Sequence, residues 1–296
     1  MTNAEMSLTF SGIYHGLWGE FISAHHVACH ETRGSKMARE IVDANLEIPI
    51  NKAGICFFSH PTHRVIPIRF VLAEMCAMLA GTNDIETMET YNKGIRKYTN
   101  DGVTLGASYG EKLSGQLEAV LDRLRRDPHS RQACCTILQK EEVVNLNLTH
   151  IPCNVFLQFL IRDNEMALIV TSRSSDFVTG FSIDTIHWQF LLNYMACSLA
   201  VTPKTLCYNI GSLHVYEKDY QVIRDWDVTK KYGVPYSHFI ETHAPLEDAI
   251  KMCKSGFTGG LSVEQLCRLL AMDEHSIAVC NYNDEMFKLY RNKLER

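Results

Sequence analysis

The sequence has no Cys-x-x-Cys pair, no low-complexity tract and no Pro/Gly/Ser linker, and no apolar run nears the roughly 20 residues of a membrane span. It also lacks an excess of basic charge: 34 acidic residues face 29 basic ones, a net charge of -5. Each absence removes a class of function. Without a basic excess the chain is a poor coat for nucleic acid, although a local pocket for one phosphate stays open. Eleven cysteines, an odd number scattered from Cys29 to Cys280, do not form the short, even, clustered set of a secreted disulfide scaffold. They read as reduced thiols of a soluble cytoplasmic protein. His60-Pro-Thr-His63 is the nearest approach to a metal pair; with no companion ligands close in sequence it reads as a polar loop, and no metal is expected. Met1-Thr-Asn-Ala-Glu-Met6 has neither the basic start nor the apolar run of a signal peptide. Neither a membrane nor a direct nucleic-acid partner is expected.

What is present is a 296-residue chain, 46% hydrophobic and 21% charged, which suffices for a sizeable core. With no internal repeat, one domain over 1–296 is the expectation. Residues 65–80 are rich in helix formers after Pro67 and stop at Gly81. Residues 112–126 set Leu113, Leu117, Val120, Leu121 and Leu124 at helical spacing before Pro128. Strand-like content follows at Cys134–Leu138, Val143–Leu148, Val155–Ile161 and Met166–Thr171, with Arg162-Asp-Asn-Glu165 as a hairpin turn. Residues 185–200 predict a long buried helix with Asp184 at its N-cap position, and Thr205–Ile210 a further strand. Ser262-Val-Glu-Gln265 is a capping box opening a helix through Leu270. Helices around a substantial sheet predict an α/β or α+β fold.

Chemistry-bearing residues gather in the second half. Pro152-Cys153-Asn154 puts a thiol between two strands, where a cysteine is ordinarily a small buried hydrophobe. Ser172-Arg173-Ser174-Ser175-Asp176 then leaves the hairpin and leads through Gly180 to Asp184. A strand end with an arginine, hydroxyls and carboxylates is poor core material and good site material. Arg173 suits bidentate phosphate binding and would lower the pKa of a nearby thiol.

Together, and in order, these segments resemble the thymidylate synthase family. Glu74 stands seven residues before Gly81-Thr-Asn83; Leu105-Gly-Ala-Ser-Tyr109-Gly110 resembles the family's Leu-Gly-x-x-Tyr-Gly loop. Pro128-His-Ser-Arg131 is similar to its arginine segment, Pro152-Cys153 with Gln158-Phe159 to its nucleophile strand, and Gly211-x-x-His214-x-Tyr216 to its ribose-binding stretch. The resemblance implies a mixed β-sheet flanked by helices and a homodimer through the sheet face. It implies Cys153 as the nucleophile, with Glu74, Tyr109 and Asp176 assisting proton transfers and water. Arg173, Arg131 from the second subunit and Arg33 of the N-terminal loop would bind phosphate. Ser174 would lie near phosphate or base, and His214 and Tyr216 at the ribose. The implied one-carbon donor is 5,10-methylenetetrahydrofolate, facing Glu74 and Asp176.

The departures from the synthase pattern carry the specificity reading. Asp184 stands where the synthases have asparagine. An amide matches uracil O4 and N3–H; a carboxylate accepts from the N4 amino group of cytosine and leaves uracil O4 unpaired, a mismatch of ~1–3 kcal/mol when buried. An aspartate there also suits a helix cap, where helix-end electrostatics would lower its pKa. Asn154 replaces histidine, Ile95-Arg-Lys-Tyr98 replaces a tryptophan-rich segment, and the closing C-terminal tail is not recognisable in Lys288–Arg296. A wetter pocket favours addition of water over hydride transfer. Gln132 and Ser212 replace an arginine and an aspartate of the phosphate and ribose sites. The expectation is therefore conversion of dCMP to 5-hydroxymethyl-dCMP, with dCMP 5-methylation and CMP or dUMP hydroxymethylation as alternatives.

Overall fold

The computed structural model describes residues 28–32, 36–50, 55–59, 65–220 and 236–294. Its strands are β1 (Ala28–Thr32), β2 (Lys36–Pro49), β3 (Ile55–Ser59), β4 (Cys134–Thr136), β5 (Asn154–Arg162), β6 (Glu165–Ser172), β7 (Ser175–Asp176), β8 (Thr202–Tyr216) and β9 (Tyr236–Ile240). The helices are α1 (Ile68–Ala80), α2 (Ile85–Glu89), α3 (Tyr109–Leu113), α4 (Gln116–Arg126), α5 (Lys140–Val144), α6 (Gly180–Ser198), α7 (Leu246–Gly256), α8 (Val263–Leu269) and α9 (Glu274–Leu294).

A seven-stranded mixed sheet runs β1-β2-β8-β6-β5-β4, with the short β7 also beside β8; β3 and β9 form a separate pair. β6 and β7 lie parallel to β8, and the remaining pairs are antiparallel. The β5–β6 hairpin turns where expected, because Asp163 (φ 51°) and Asn164 (φ 60°) both take the left-handed conformation of a tight two-residue turn. β6 and β8 are parallel and so need a crossover, which α6 supplies.

α6 has no polar face. Phe181, Ile186, Trp188, Phe190, Leu191, Leu192, Tyr194 and Met195 are all buried, each worth roughly 1.5–3 kcal/mol in apolar transfer. Around it pack α1, α7, β3, β6 and β8. α1 lies against α3, α7, α8 and α9, and ends at Gly81 in the left-handed conformation (φ 74°). On the sheet's other face Leu160, Ile169 and Cys207 are partly exposed, in contrast to the inward Leu157, Leu168 and Tyr208.

The structure departs from the sequence expectations in three places. Residues 112–126 form two helices, because Gly115 (φ 76°) breaks the run and caps α4. Val143–Leu148 is no strand: Gln139 N–H bonds Glu142 Oε2 (2.9 Å), and Glu142 pairs with Lys112 (2.6 Å), so this local capping starts α5. The helix expected at 185–200 starts at Gly180, with Thr179 as N-cap. Asp184 therefore sits a full turn inside α6 and caps nothing.

Candidate active site

β5 and β6 bring the thiol and an arginine together. Cys153 precedes β5, and its carbonyl accepts hydrogen bonds from the Arg173 N–H and the Ser172 hydroxyl, both at 2.9 Å. The Arg173 side chain is anchored on the same loop: Nε donates to the Pro152 carbonyl at 2.9 Å and Nη2 to that of Ile151 at 3.0 Å. Nη2 also stands 3.8 Å from Cys153 Sγ. Cys153 opens to solvent on one side. Desolvation by the surrounding protein still pushes its thiol above the ordinary value; Arg173 pulls it down, while Asp184 and Asp176 push it up. A phosphate would compete with the thiolate for this guanidinium.

Behind the thiol lies a buried polar network. Asp184 Oδ2 accepts from Asn154 Nδ2 (3.0 Å) and from the Tyr208 hydroxyl (3.2 Å), and Oδ1 from the Tyr109 hydroxyl (3.3 Å). Asn154 Nδ2 also donates to the Tyr109 oxygen at 2.5 Å, and the Tyr208 hydroxyl approaches Asn154 Oδ1 at 2.8 Å. Asp184 is 8% exposed. Burial outweighs its three donors and raises its carboxyl to about 6, against the lowering expected of a helix-end cap. Glu74, reaching in from α1, is pushed to about 8, first by desolvation and then by the Asp184 charge. At neutral pH the site thus holds one carboxyl that keeps its proton and one that titrates nearby.

Tyr109 is placed by backbone contact. A Cβ on Gly110 would lie 2.5 Å from the Thr82 carbonyl and 2.7 Å from that of Ala77, so only glycine lets α3 dock on the end of α1. The Tyr109 and Trp188 rings then meet at 5.2 Å.

The structure brings together Cys153, Arg173, Glu74, Tyr109 and Asp184 of the residues expected from sequence. Asp176 lies near enough to act on the thiol, but its carboxylate is engaged by Val178 N–H (2.9 Å), Thr179 N–H (3.3 Å) and Thr179 Oγ1 (2.5 Å). It shapes the turn into α6. Ser174 Oγ is 3.4 Å from His214 Nδ1, and His214 packs edge-on against Tyr216 at 4.9 Å, a group adjoining β7. Ser212 hydrogen-bonds Glu40 on β2.

Arg131 is exposed with Arg123, Arg126, His129 and Gln132 around a surface concavity, and no contact joins it to the thiol cluster among the described residues. Ile95 is buried and Tyr98 exposed on a 3-10 turn. Arg33, His60 and His63 lie outside the described residues. Sequence reasoning missed Tyr208 altogether. Its signal was a hydroxyl at an inward position of a strand, between Leu206 and Ile210.

A profile of the family described as Thymidylate synthase matches residues 22–244. Among curated proteins, the chain is 32% identical over 182 residues to the Deoxyuridylate hydroxymethyltransferase of Bacillus phage SP01, covering 56% of this chain and 48% of that protein. It is 26% identical over 156 residues to the Deoxyuridylate hydroxymethyltransferase of Pseudomonas phage M6, covering 50% and 44%. It is 27% identical over 124 residues to the Thymidylate synthase of Fusobacterium nucleatum, covering 40% and 44%. The chain thus spans about half the length of the curated relatives it matches. No helix among the described residues is long and apolar enough to cross a membrane.

Proposed function

The chain belongs to the thymidylate synthase family, and from that premise we propose that it transfers one carbon to C5 of a pyrimidine nucleotide and leaves it as a hydroxymethyl group. The observation that supports this most directly is a thiol beside an arginine, backed by two carboxyls of different proton affinity. C5 of a pyrimidine is a weak nucleophile until a thiolate adds at C6. Cys153 is the group for that addition, and Arg173 favours its ionised form. Loss of the C5 proton would supply the electron pair that releases the tetrahydrofolate nitrogen from the transferred carbon; water would then add to that carbon, and the C6–S bond would break with its electron pair returning to sulfur. We assign the passing of the C5 proton to Tyr109, a reading supported by its hydrogen bonds to Asn154 and Asp184.

The family implies 5,10-methylenetetrahydrofolate, which supplies a carbon at the oxidation level of formaldehyde. Glu74 fits the side facing it, because a carboxyl raised to about 8 still holds a proton at neutral pH. Water taken up by the transferred carbon accounts for the hydroxyl group. The hydroxymethyltransferase relatives favour this outcome over methylation.

Two bases remain in play, and Asp184 connects them. As a neutral acid it offers one donor and one acceptor, as an amide does, and so meets uracil O4 and N3–H. This supports deoxyuridylate, the nucleotide in the names of two relatives. As a carboxylate it accepts from cytosine N4, which favours dCMP, the base expected from sequence. With Asp184 near 6, both forms are accessible around neutral pH. The exposed Arg131, away from the thiol of its own chain, suits donation to a second subunit in a homodimer.

The test is mass analysis of products from methylenetetrahydrofolate with dUMP, dCMP or CMP in parallel. A hydroxymethylated nucleotide without dihydrofolate is expected; a methylated one with dihydrofolate would overturn the hydroxymethyl outcome. Cys153→Ser should end turnover while nucleotide binding persists.

A further inference from the structure

The polar ring around Asp184 contains a group with no role so far. Tyr208 is fully buried, and its ring stacks on Phe181 at 5.8 Å, so apolar packing alone would suit phenylalanine. Its hydroxyl lies 2.8 Å from Asn154 Oδ1 and 3.2 Å from Asp184 Oδ2. One hydroxyl carries one proton, so it serves these acceptors in two ways. With Asp184 ionised, Tyr208 can donate to Oδ2. With Asp184 protonated on Oδ1, Tyr208 can turn its proton to Asn154 Oδ1 while Oδ2 still accepts from Asn154 Nδ2. The second arrangement leaves the carboxyl proton on Oδ1, met only by Tyr109 at 3.3 Å, as the donor for a 4-oxo group.

We infer that Tyr208, together with Asn154, is a positioning residue that sets the choice between 4-oxo and 4-amino pyrimidines by fixing where the Asp184 proton resides. The inference rests on the pyrimidine-nucleotide reading above. The titratable groups acting in this cluster are Glu74 from α1, Tyr109 from α3, Cys153 before β5 and Tyr208 from β8, while Arg173 and Asp176 act on Cys153. Of these, Tyr208 is close to Asp184, buried, and without a part in the chemistry of the thiol. Its hydrogen bond, like that of Asn154, favours the ionised carboxyl. Removing it therefore moves the site toward the neutral acid.

The test is the ratio of dissociation constants for dCMP and dUMP, and of kcat/KM where turnover occurs, from pH 5 to 8.5 in wild type, Tyr208→Phe and Asn154→Ala. Tyr208→Phe keeps the ring and its packing, and a thermal midpoint checks the fold of each variant. The expected result is a shift of the ratio toward dUMP at pH 7 by about 12-fold, one neutral-to-charged hydrogen bond at the low end of its range. The pH midpoint of the ratio should rise in both variants. Equal loss for both nucleotides with an unmoved midpoint would overturn the inference, as would a wild type that binds neither. A binding ratio that shifts without turnover in any variant would sustain the role of Tyr208 and refute the transferase reading. Turnover with an unshifted ratio would do the reverse.

Discussion

Replacing Asp184 with asparagine isolates base selection from the rest of the site. The amide is nearly isosteric with the carboxyl and can keep two contacts at once: the Tyr109 hydroxyl can donate to its oxygen, and the Tyr208 oxygen can accept from its Nδ2. It cannot keep the bond from Asn154 Nδ2 on that same side, where two amide donors would meet. In wild type the carboxyl changes charge near 6, so the dCMP-to-dUMP ratio of kcat/KM should climb with pH through that region and then level. In Asp184→Asn nothing titrates there, and the ratio should be flat and in favour of dUMP. One buried donor–acceptor mismatch costs ~1–3 kcal/mol, so the ratio above pH 7 should fall by about 5- to 150-fold. A second consequence follows from the neighbouring carboxyl. Part of the rise at Glu74 comes from the Asp184 charge, so the variant should ionise Glu74 at a lower pH. The assay is initial-rate kinetics on both nucleotides from pH 5 to 8.5. A variant whose ratio keeps the wild-type value and pH slope would refute the base-reading role.

Three further outcomes follow from the same geometry. Glu74→Gln should lose most turnover yet stabilise the free protein at alkaline pH. A carboxyl raised from 4.5 to about 8 stabilises the fold most below its unfolded pKa and loses that contribution as pH rises through 8. The gain at pH 9 should be of the order of a few kcal/mol, seen as a higher thermal midpoint; no gain would show that Glu74 ionises freely. Arg173→Ala should move the pH midpoint of iodoacetamide alkylation at Cys153 upward, because the nearby positive charge is gone; an unmoved midpoint would dismiss the guanidinium as the thiol's activator. Gly110→Ala should lower the thermal midpoint and displace Tyr109, since its Cβ meets two backbone carbonyls at 2.5 and 2.7 Å. Wild-type stability and turnover there would contradict the close docking of α3 on α1.

Legibility in the sequence followed the range of the interactions. The β5–β6 hairpin was readable because Asp163 and Asn164 make the turn locally. The Ser262/Gln265 box was readable for the same reason, with Gln265 N–H on Ser262 Oγ at 3.2 Å. β2 and α9 were not foreseen. β2 mixes Arg39, Glu40, Asp43, Asn45 and Glu47 into its apolar positions, and at Asp43 (φ 60°) one pair with β8 is missing although the register continues. Val143–Leu148 looked strand-like by composition, but Glu142 bonds at the turn decided otherwise. Cys153, Glu74, Tyr109 and Asp184 were found because they sit in recognisable segments. The charge state of Asp184 was not, since it depends on burial and on Asn154, Tyr208 and Tyr109, which come from three separate elements. A one-turn error in the start of α6 put Asp184 at a cap position, where its pKa would fall; inside the helix and buried, its carboxyl is raised instead.

The crossover from β6 through α6 to β8 has a bearing on descent. Arg173, Ser174, Asp184, Tyr208, His214 and Tyr216 all lie between residues 165 and 216, whereas Glu74 and Tyr109 arrive from α1 and α3. On the proposed function, substitutions in that stretch and at the neighbouring Asn154 would retune which nucleotide is accepted while leaving the α1 and α3 contributions in place. A lineage could then change its base without rebuilding the side of the site that Glu74 and Tyr109 supply.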